Sequence, residues 1–190
     1  MTKAPLILAS ASPRRLQLLA QIGIVPDHVS PADIDETERK AEKPRPYAER
    51  MGREKAAAVH TNGQFTLAGD TVVSVGRRIL PKAETGEEVE TCLRLMSGRA
   101  HQVMTSICLI DPEGRRTERL SDTRVILKRL SDAEIAAYVA SGEGVGKAGG
   151  YGIQGLASAF IQRISGSYSA IVGLPLFETS NLLRGAGYLE

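Results

Sequence analysis

Three short stretches carry side chains able to do chemistry on a polyanion. In "LASASPRR" an apolar run ends in the hydroxyl residues Ser10 and Ser12, then Pro13 and the adjacent arginines Arg14 and Arg15. The order predicts a buried strand, a tight loop and a helix with Ser12 as its cap and Pro13 at its first position. First-turn N–H groups lack internal partners and carry the positive end of the helix dipole, so this layout can bind an anion. In "FTLAGDTVVSVG" Asp70 interrupts an apolar strand, where a carboxylate without a partner is costly. Glu36 lies with Asp33, Asp35 and Glu38 in a polar loop able to fold over that strand. Two carboxylates, Asp70 and Glu36, can share a hard divalent cation, and such ions bridge phosphates. By themselves the arginines suit a solvated surface helix equally well, and Lys55 and Lys82 read as surface lysines.

Other motifs exclude more than they offer. "GYGIQG" satisfies G-x-G-x-x-G, but a helix precedes it where a dinucleotide fold needs a strand. It reads instead as a flexible loop whose Lys147 and Gln154 approach a ligand. No G-x-x-x-x-G-K-[ST] and no G-x-S-x-G occurs, which argues against a P-loop NTPase and against a serine hydrolase. His28, His60 and His101 share no zinc-ligand spacing, and Cys92 and Cys108 read as buried thiols.

The elements that must position these residues follow from periodicity and breakers. The helix opened by Ser12 should bury Leu16, Leu19 and Ile22 and stop at Gly23. A long loop should follow through "HVSPADIDETERKAEKPRP", then a helix over "YAERMGREKAAAVHT" with Tyr47 and Met51 inward. The strand through Asp70 should turn back at "RRIL" and lead to a helix ending at Gly98. "HQVMTSICLID" and "RTERLSDTRVILKRL", joined by "PEGR", should pair as strands. A capping box of Ser131 and Glu134 should open the next helix. The chain should close with "SAFIQRIS" as a strand, then a loop and a final helix.

With 190 residues, 42% hydrophobic and 24% charged, the chain suits one folded domain, residues 1–190, with a cleft. A net charge of +2 argues against coating nucleic acid, and 4% aromatic residues leave little platform for stacking bases. The N-terminal apolar run is shorter than a signal-peptide core and Arg14 and Arg15 follow it, so no export and a cytoplasmic location are expected. No run approaches the length of a membrane span.

Taken together, "LASASPRR", "DIDE", "REKA", "AGDTVV", "LPK", "MSGRAHQVMT", "KAGGYGIQG" and "GSYSAIVGLPL" resemble, in order and over nearly the whole chain, the Maf family of nucleoside triphosphate pyrophosphatases. The last two stretches are similar to the branch that hydrolyses dTTP and UTP, as against the branch acting on 7-methylguanosine triphosphate. The resemblance implies an α/β fold like that of the inosine triphosphatases, a central mixed sheet with flanking helices and two lobes around a cleft, often as a homodimer. It implies Mg²⁺ or Mn²⁺ as cofactor and a nucleoside triphosphate as substrate. By motif position Asp70 is the general base and, with Glu36, a metal-site residue. Ser10, Ser12, Arg14, Arg15, Lys55 and Lys82 correspond to substrate and phosphate contacts, and Arg14, Thr71 and Gln154 to substrate choice. The chain departs from the pattern at "PKA", where relatives commonly carry proline after the lysine. A non-catalytic nucleotide-binding regulator of cell division is the competing reading.

Overall fold

Apolar residues at every position of "LILA" demand a strand covered on both faces, and β1 (Leu6–Ala9) is buried throughout. In this computed structural model, which describes residues 3–189, β1 pairs in parallel with β2 (His28–Val29) and β3 (Phe65–Val75). Met1 and Thr2, where the reading of no export signal begins, and Glu190, the end of the expected domain, lie outside the described residues. Beyond β3 the sheet is antiparallel, through β6 (Ala100–Ile110), β7 (Arg116–Leu127) and β9 (Ile161–Ser165), while β4 (Arg78–Leu80) returns along β3. The strand order β2-β1-β3-β6-β7-β9 makes a mixed sheet, and the expected pairing of β6 with β7 runs from Ala100 to Ile110.

Successive strand residues face opposite sides, so β3 and β6 offer two different surfaces. One carries Thr66, Ala68 and Asp70 beside Ile110, Cys108 and Ser106, and is covered by α2 (Pro44–Val59). The small residues Ala56 and Ala68 bring this helix close. Gly52 is required there: a Cβ would lie 2.5 Å from Ser106 Oγ, which donates to the Ala48 carbonyl. The opposite surface holds the main apolar core of Leu67, Ile107, Leu109 and Val103, with Leu18 and Leu19 of α1 (Pro13–Gln21) and Leu182 and Leu183 of α6 (Leu176–Gly185). Burying each such side chain contributes about 1.5–3 kcal/mol.

A second, two-stranded ribbon pairs β5 (Lys82–Ala83) with β8 (Lys147–Ala148), next to α3 (Gly86–Met96) and α4 (Asp132–Ala140). Capping boxes open both helices, Thr85 with Glu88 and, as the sequence predicts, Ser131 with Glu134. Gly149 and Gly150 both take φ +67°, and a Cβ on Gly149 would lie 2.8 Å from Val73 Cγ1, so only glycine lets the turn lie against β3. The architecture is thus α/β, a central mixed sheet with flanking helices.

Four local expectations change. Ile22 is 37% exposed and Leu18 takes its inward place. The acidic stretch opens with β2, and α2 begins at Pro44, because prolines in a first helical turn forfeit no intrahelical bond. "SAFIQRIS" starts within a 3-10 turn, Leu156–Phe160, before β9. The stretch read as the last loop contains α5 (Tyr168–Val172), capped by Ser167. Cys92 and Cys108 are free and buried as expected, and burial pushes the Cys108 thiol up to about 12.

Candidate active site

The edge of β3 changes partner halfway. Its residues 65–68 pair with β1 and residues 73–75 with β4, so Asp70 and Thr71 fall where β1 has ended and β4 has not begun. Such a gap at the carboxyl end of a strand is where open α/β sheets form ligand crevices. Here a cleft of about 770 Å³ opens. Asp70 and Thr71 point to opposite faces of β3, so the cleft is served from α2 on one side and from α1 and α5 on the other.

On the α2 side, Lys55 Nζ donates to Asp70 Oδ1 at 2.7 Å and lies 3.0 Å from Glu36 Oε1. Asp70 is buried, which this ammonium makes tolerable. The acidic loop is anchored through Arg50, whose guanidinium forks onto Glu42 at 2.8 and 2.7 Å and donates to the Thr37 carbonyl at 3.0 Å. Hydrogen bonds from Arg50 hold the Glu42 carboxyl down at about 2. The Tyr47 hydroxyl donates to the Glu36 carbonyl at 2.8 Å, and burial, with Asp70, Glu36 and Glu38 nearby, pushes its phenol up to about 12. Tyr47, expected to face inward, lines the cleft half-buried; Met51 is fully inside.

On the other side, Arg15 joins three segments. Its guanidinium donates to Ser10 Oγ at 2.8 Å, to the Gly173 carbonyl at 2.8 Å and to Thr71 Oγ1 at 3.5 Å. Thr105 donates to the Ala170 carbonyl at 2.7 Å, so the Thr71 hydroxyl gives its proton to Thr105 at 3.1 Å and accepts from Arg15. Burial lowers the Arg15 pKa, an effect that Asp70 opposes and Arg14 reinforces. Ser12 is the N-cap of α1, yet its hydroxyl makes no capping bond, and Arg14 beside it lines the cleft. Both remain able to meet an anion at the helix terminus.

The ribbon forms the far wall. Lys82 is largely exposed and lies 3.3 Å from Glu84, and β8 places Lys147 on the neighbouring strand. Lys147 also donates to the Glu143 carbonyl, while burial and Arg14 lower its pKa. The Glu143 carboxylate accepts from the N–H of Leu156 at 2.7 Å and from the Tyr138 hydroxyl at 2.9 Å, fastening the loop that carries Gln154. Gln154 itself is exposed at the cleft rim. Behind that loop the Tyr151 hydroxyl meets His101 Nε2 at 2.8 Å, and burial takes the imidazole down to about 4.

Ser10, Ser12, Arg14, Arg15, Glu36, Lys55, Asp70, Thr71, Lys82 and Gln154 therefore all line one cleft. Tyr47, Glu143 and the anchoring Arg50 carried no chemical signal in the sequence, since an isolated tyrosine, glutamate or helix arginine reads as ordinary surface or core. Among the described residues no group of three or more His, Cys, Asp or Glu is placed to hold a metal ion. Two carboxylates suit Mg²⁺, which keeps several waters and takes substrate phosphates as ligands.

The model of the family described as Maf-like protein matches residues 5–186. A dTTP/UTP pyrophosphatase of Hyphomonas neptunium is 63% identical over 185 residues, covering 97% of each chain. A dTTP/UTP pyrophosphatase of Caulobacter vibrioides is 61% identical over 185 residues, covering 96% of each. Among solved structures, a HAM1 protein from Coxiella burnetii aligns over 95% of this chain and 98% of its own, at 15% identity and a TM-score of 0.51. That likeness concerns the fold, and agrees with the architecture the resemblance implies.

Proposed function

Because the chain belongs to the Maf family, we propose that its cleft hydrolyses nucleoside triphosphates, dTTP and UTP in particular, to the monophosphate and pyrophosphate. One observation carries the reading: a buried carboxylate, Asp70, sits on a lysine beside a second carboxylate, facing the helix terminus of Arg14 across the same cleft. Arg14, Lys82, Lys147 and the first turn of α1 hold the triphosphate and oppose the charge that grows on the leaving pyrophosphate. Ser10 and Ser12 add hydroxyl donors, and Arg15 keeps β1, β3 and the Gly173 turn in register around them.

Water attacks the α-phosphorus as the bond to the α–β bridging oxygen breaks. The Asp70 carboxylate accepts the water's proton. Asp70 and Glu36 would hold Mg²⁺ or Mn²⁺, which when bound neutralises phosphate charge and acidifies water. Gln154 offers an amide donor and acceptor to a pyrimidine edge, and Thr71 and Arg14 line the same cleft. The working unit is one cytoplasmic domain, residues 1–190, paired as a homodimer and needing neither nucleic acid nor membrane. No helix among the described residues is long and apolar enough to cross one.

Pyrophosphate release from canonical and methylated nucleoside triphosphates, with Mg²⁺, Mn²⁺ or EDTA, tests the proposal. Metal-dependent release is expected to be strongest for dTTP and UTP. Preference for 7-methylguanosine triphosphate would overturn the substrate, and binding of dTTP without release from any substrate would leave a nucleotide-binding regulator.

A further inference from the structure

The pair of carboxylates facing the cleft already holds a cation of its own. Lys55 Nζ lies 2.7 Å from Asp70 Oδ1 and 3.0 Å from Glu36 Oε1, on the inner side of the loop that Arg50 anchors. An ammonium is a compact point charge, and here it occupies one oxygen of each carboxylate. A divalent ion on the other two oxygens would stand a few ångströms from it, and like charges that close in a half-buried site repel strongly. The arrangement is also built to open on one side. The Asp70 and Lys55 side chains are 11% and 12% exposed, whereas Glu36 is 55% exposed on its loop.

We propose that Lys55 is an exchangeable stand-in for the divalent cation. In the free enzyme its ammonium neutralises Asp70 and Glu36 and keeps metal off them. An arriving triphosphate offers the ammonium phosphate oxygens within the same cleft, and only then are the carboxylates released to a metal. Binding is therefore ordered: the nucleotide brings its metal into a site that is closed to free metal.

The inference rests on the hydrolytic reading of the cleft, and its test reads metal binding separately from turnover. Mn²⁺ binding to nucleotide-free protein is followed by electron paramagnetic resonance for wild type, Lys55→Met and Lys55→Gln. Both variants are expected to bind Mn²⁺ at least about tenfold more tightly than wild type, a tenfold change being about 1.4 kcal/mol. Lys55→Gln serves if the methionine variant does not fold. Adding Glu36→Gln to either variant should remove the gain, and Lys55→Arg, which keeps the charge, should bind as weakly as wild type. Equal Mn²⁺ affinity in wild type and the uncharged variants overturns the proposal, as does a gain that survives Glu36→Gln. Pyrophosphate release by the wild type, measured alongside, separates the two readings: its absence sinks the hydrolytic function, whereas release with unchanged Mn²⁺ affinity sinks only the stand-in role.

Discussion

Asp70 of β3 and Arg15 of α1 show how charged residues lining one cleft differ in what they touch. Asp70→Asn keeps the side chain's shape but removes the proposed proton acceptor, so pyrophosphate release should fall by at least about a hundredfold. Far-UV circular dichroism should stay unchanged, and turnover near the wild-type rate would remove Asp70 from the chemistry. The two arginines should separate in the same assays. Arg14 is free to meet phosphate, so Arg14→Ala should raise KM for dTTP about tenfold or more and leave the melting temperature within a degree or two. The Arg15 guanidinium is engaged with Ser10, Gly173 and Thr71, so Arg15→Ala should lower stability by about 2 kcal/mol as well as activity. Equal melting temperatures for the two variants would contradict that division.

At the scale of elements, two polar clamps hold the loops that wall the cleft. Arg50 ties the acidic loop to α2, and Arg50→Met leaves the mostly covered Glu42 side chain without its cation, which costs about 3 kcal/mol. The loop bearing Glu36 should then become the first site of limited proteolysis. His101 of β6 holds Tyr151, next to the Gln154 loop, and stays neutral because burial lowers its pKa from 6.5 to about 4. Below pH 6.5 the unfolded chain protonates this histidine and the folded chain does not. Stability is therefore complete above that pH and is lost as pH falls towards 4, by roughly 3 kcal/mol. Urea midpoints at pH 7.5 and 4.5 should differ more for wild type than for His101→Gln; parallel loss in both would exclude the histidine. Glu42, held at about 2, adds its own loss only at lower pH, between 4.5 and 2.

For the whole molecule, the cleft is lined by both the large sheet and the ribbon of β5 and β8, so a nucleotide filling it would contact both. A nucleotide present at about a hundred times its Kd should stabilise the fold by about 2.7 kcal/mol. Thermal melts of the Asp70→Asn protein with dTTP and Mg²⁺ avoid turnover and should show this gain. The gain should disappear when Lys82→Ala and Lys147→Ala are combined, since these remove the ribbon's hold on the triphosphate. A shift that persists undiminished would mean that the nucleotide is held by the sheet alone.

Much of this is legible in the sequence. The strand of "LILA", the Ser12–Pro13 helix start, the capping box at Ser131 and the pairing of β6 with β7 follow from local patterns, because burial period and cap chemistry act over a few residues. The oddity of a carboxylate in an apolar strand marked Asp70, and eight ordered motifs marked the family. Other features have no local signature. Ile22 is exposed because α1 ends at Gln21 and Ile22, its C-cap, leaves the helical face that packs inward. Lys55 reads as a surface lysine until Gly52 lets α2 approach β6 and sets it on Asp70. Arg14 and Arg15 look alike in sequence and both line the cleft, yet Arg15 is also engaged with Gly173, 158 residues away in the chain. Sequence alone determined which chemical groups are present and which short elements carry them. Their sorting into ligand-facing, fastening and charge-neutralising groups was decided by tertiary structure, because burial and long-range pairing set what each charge does.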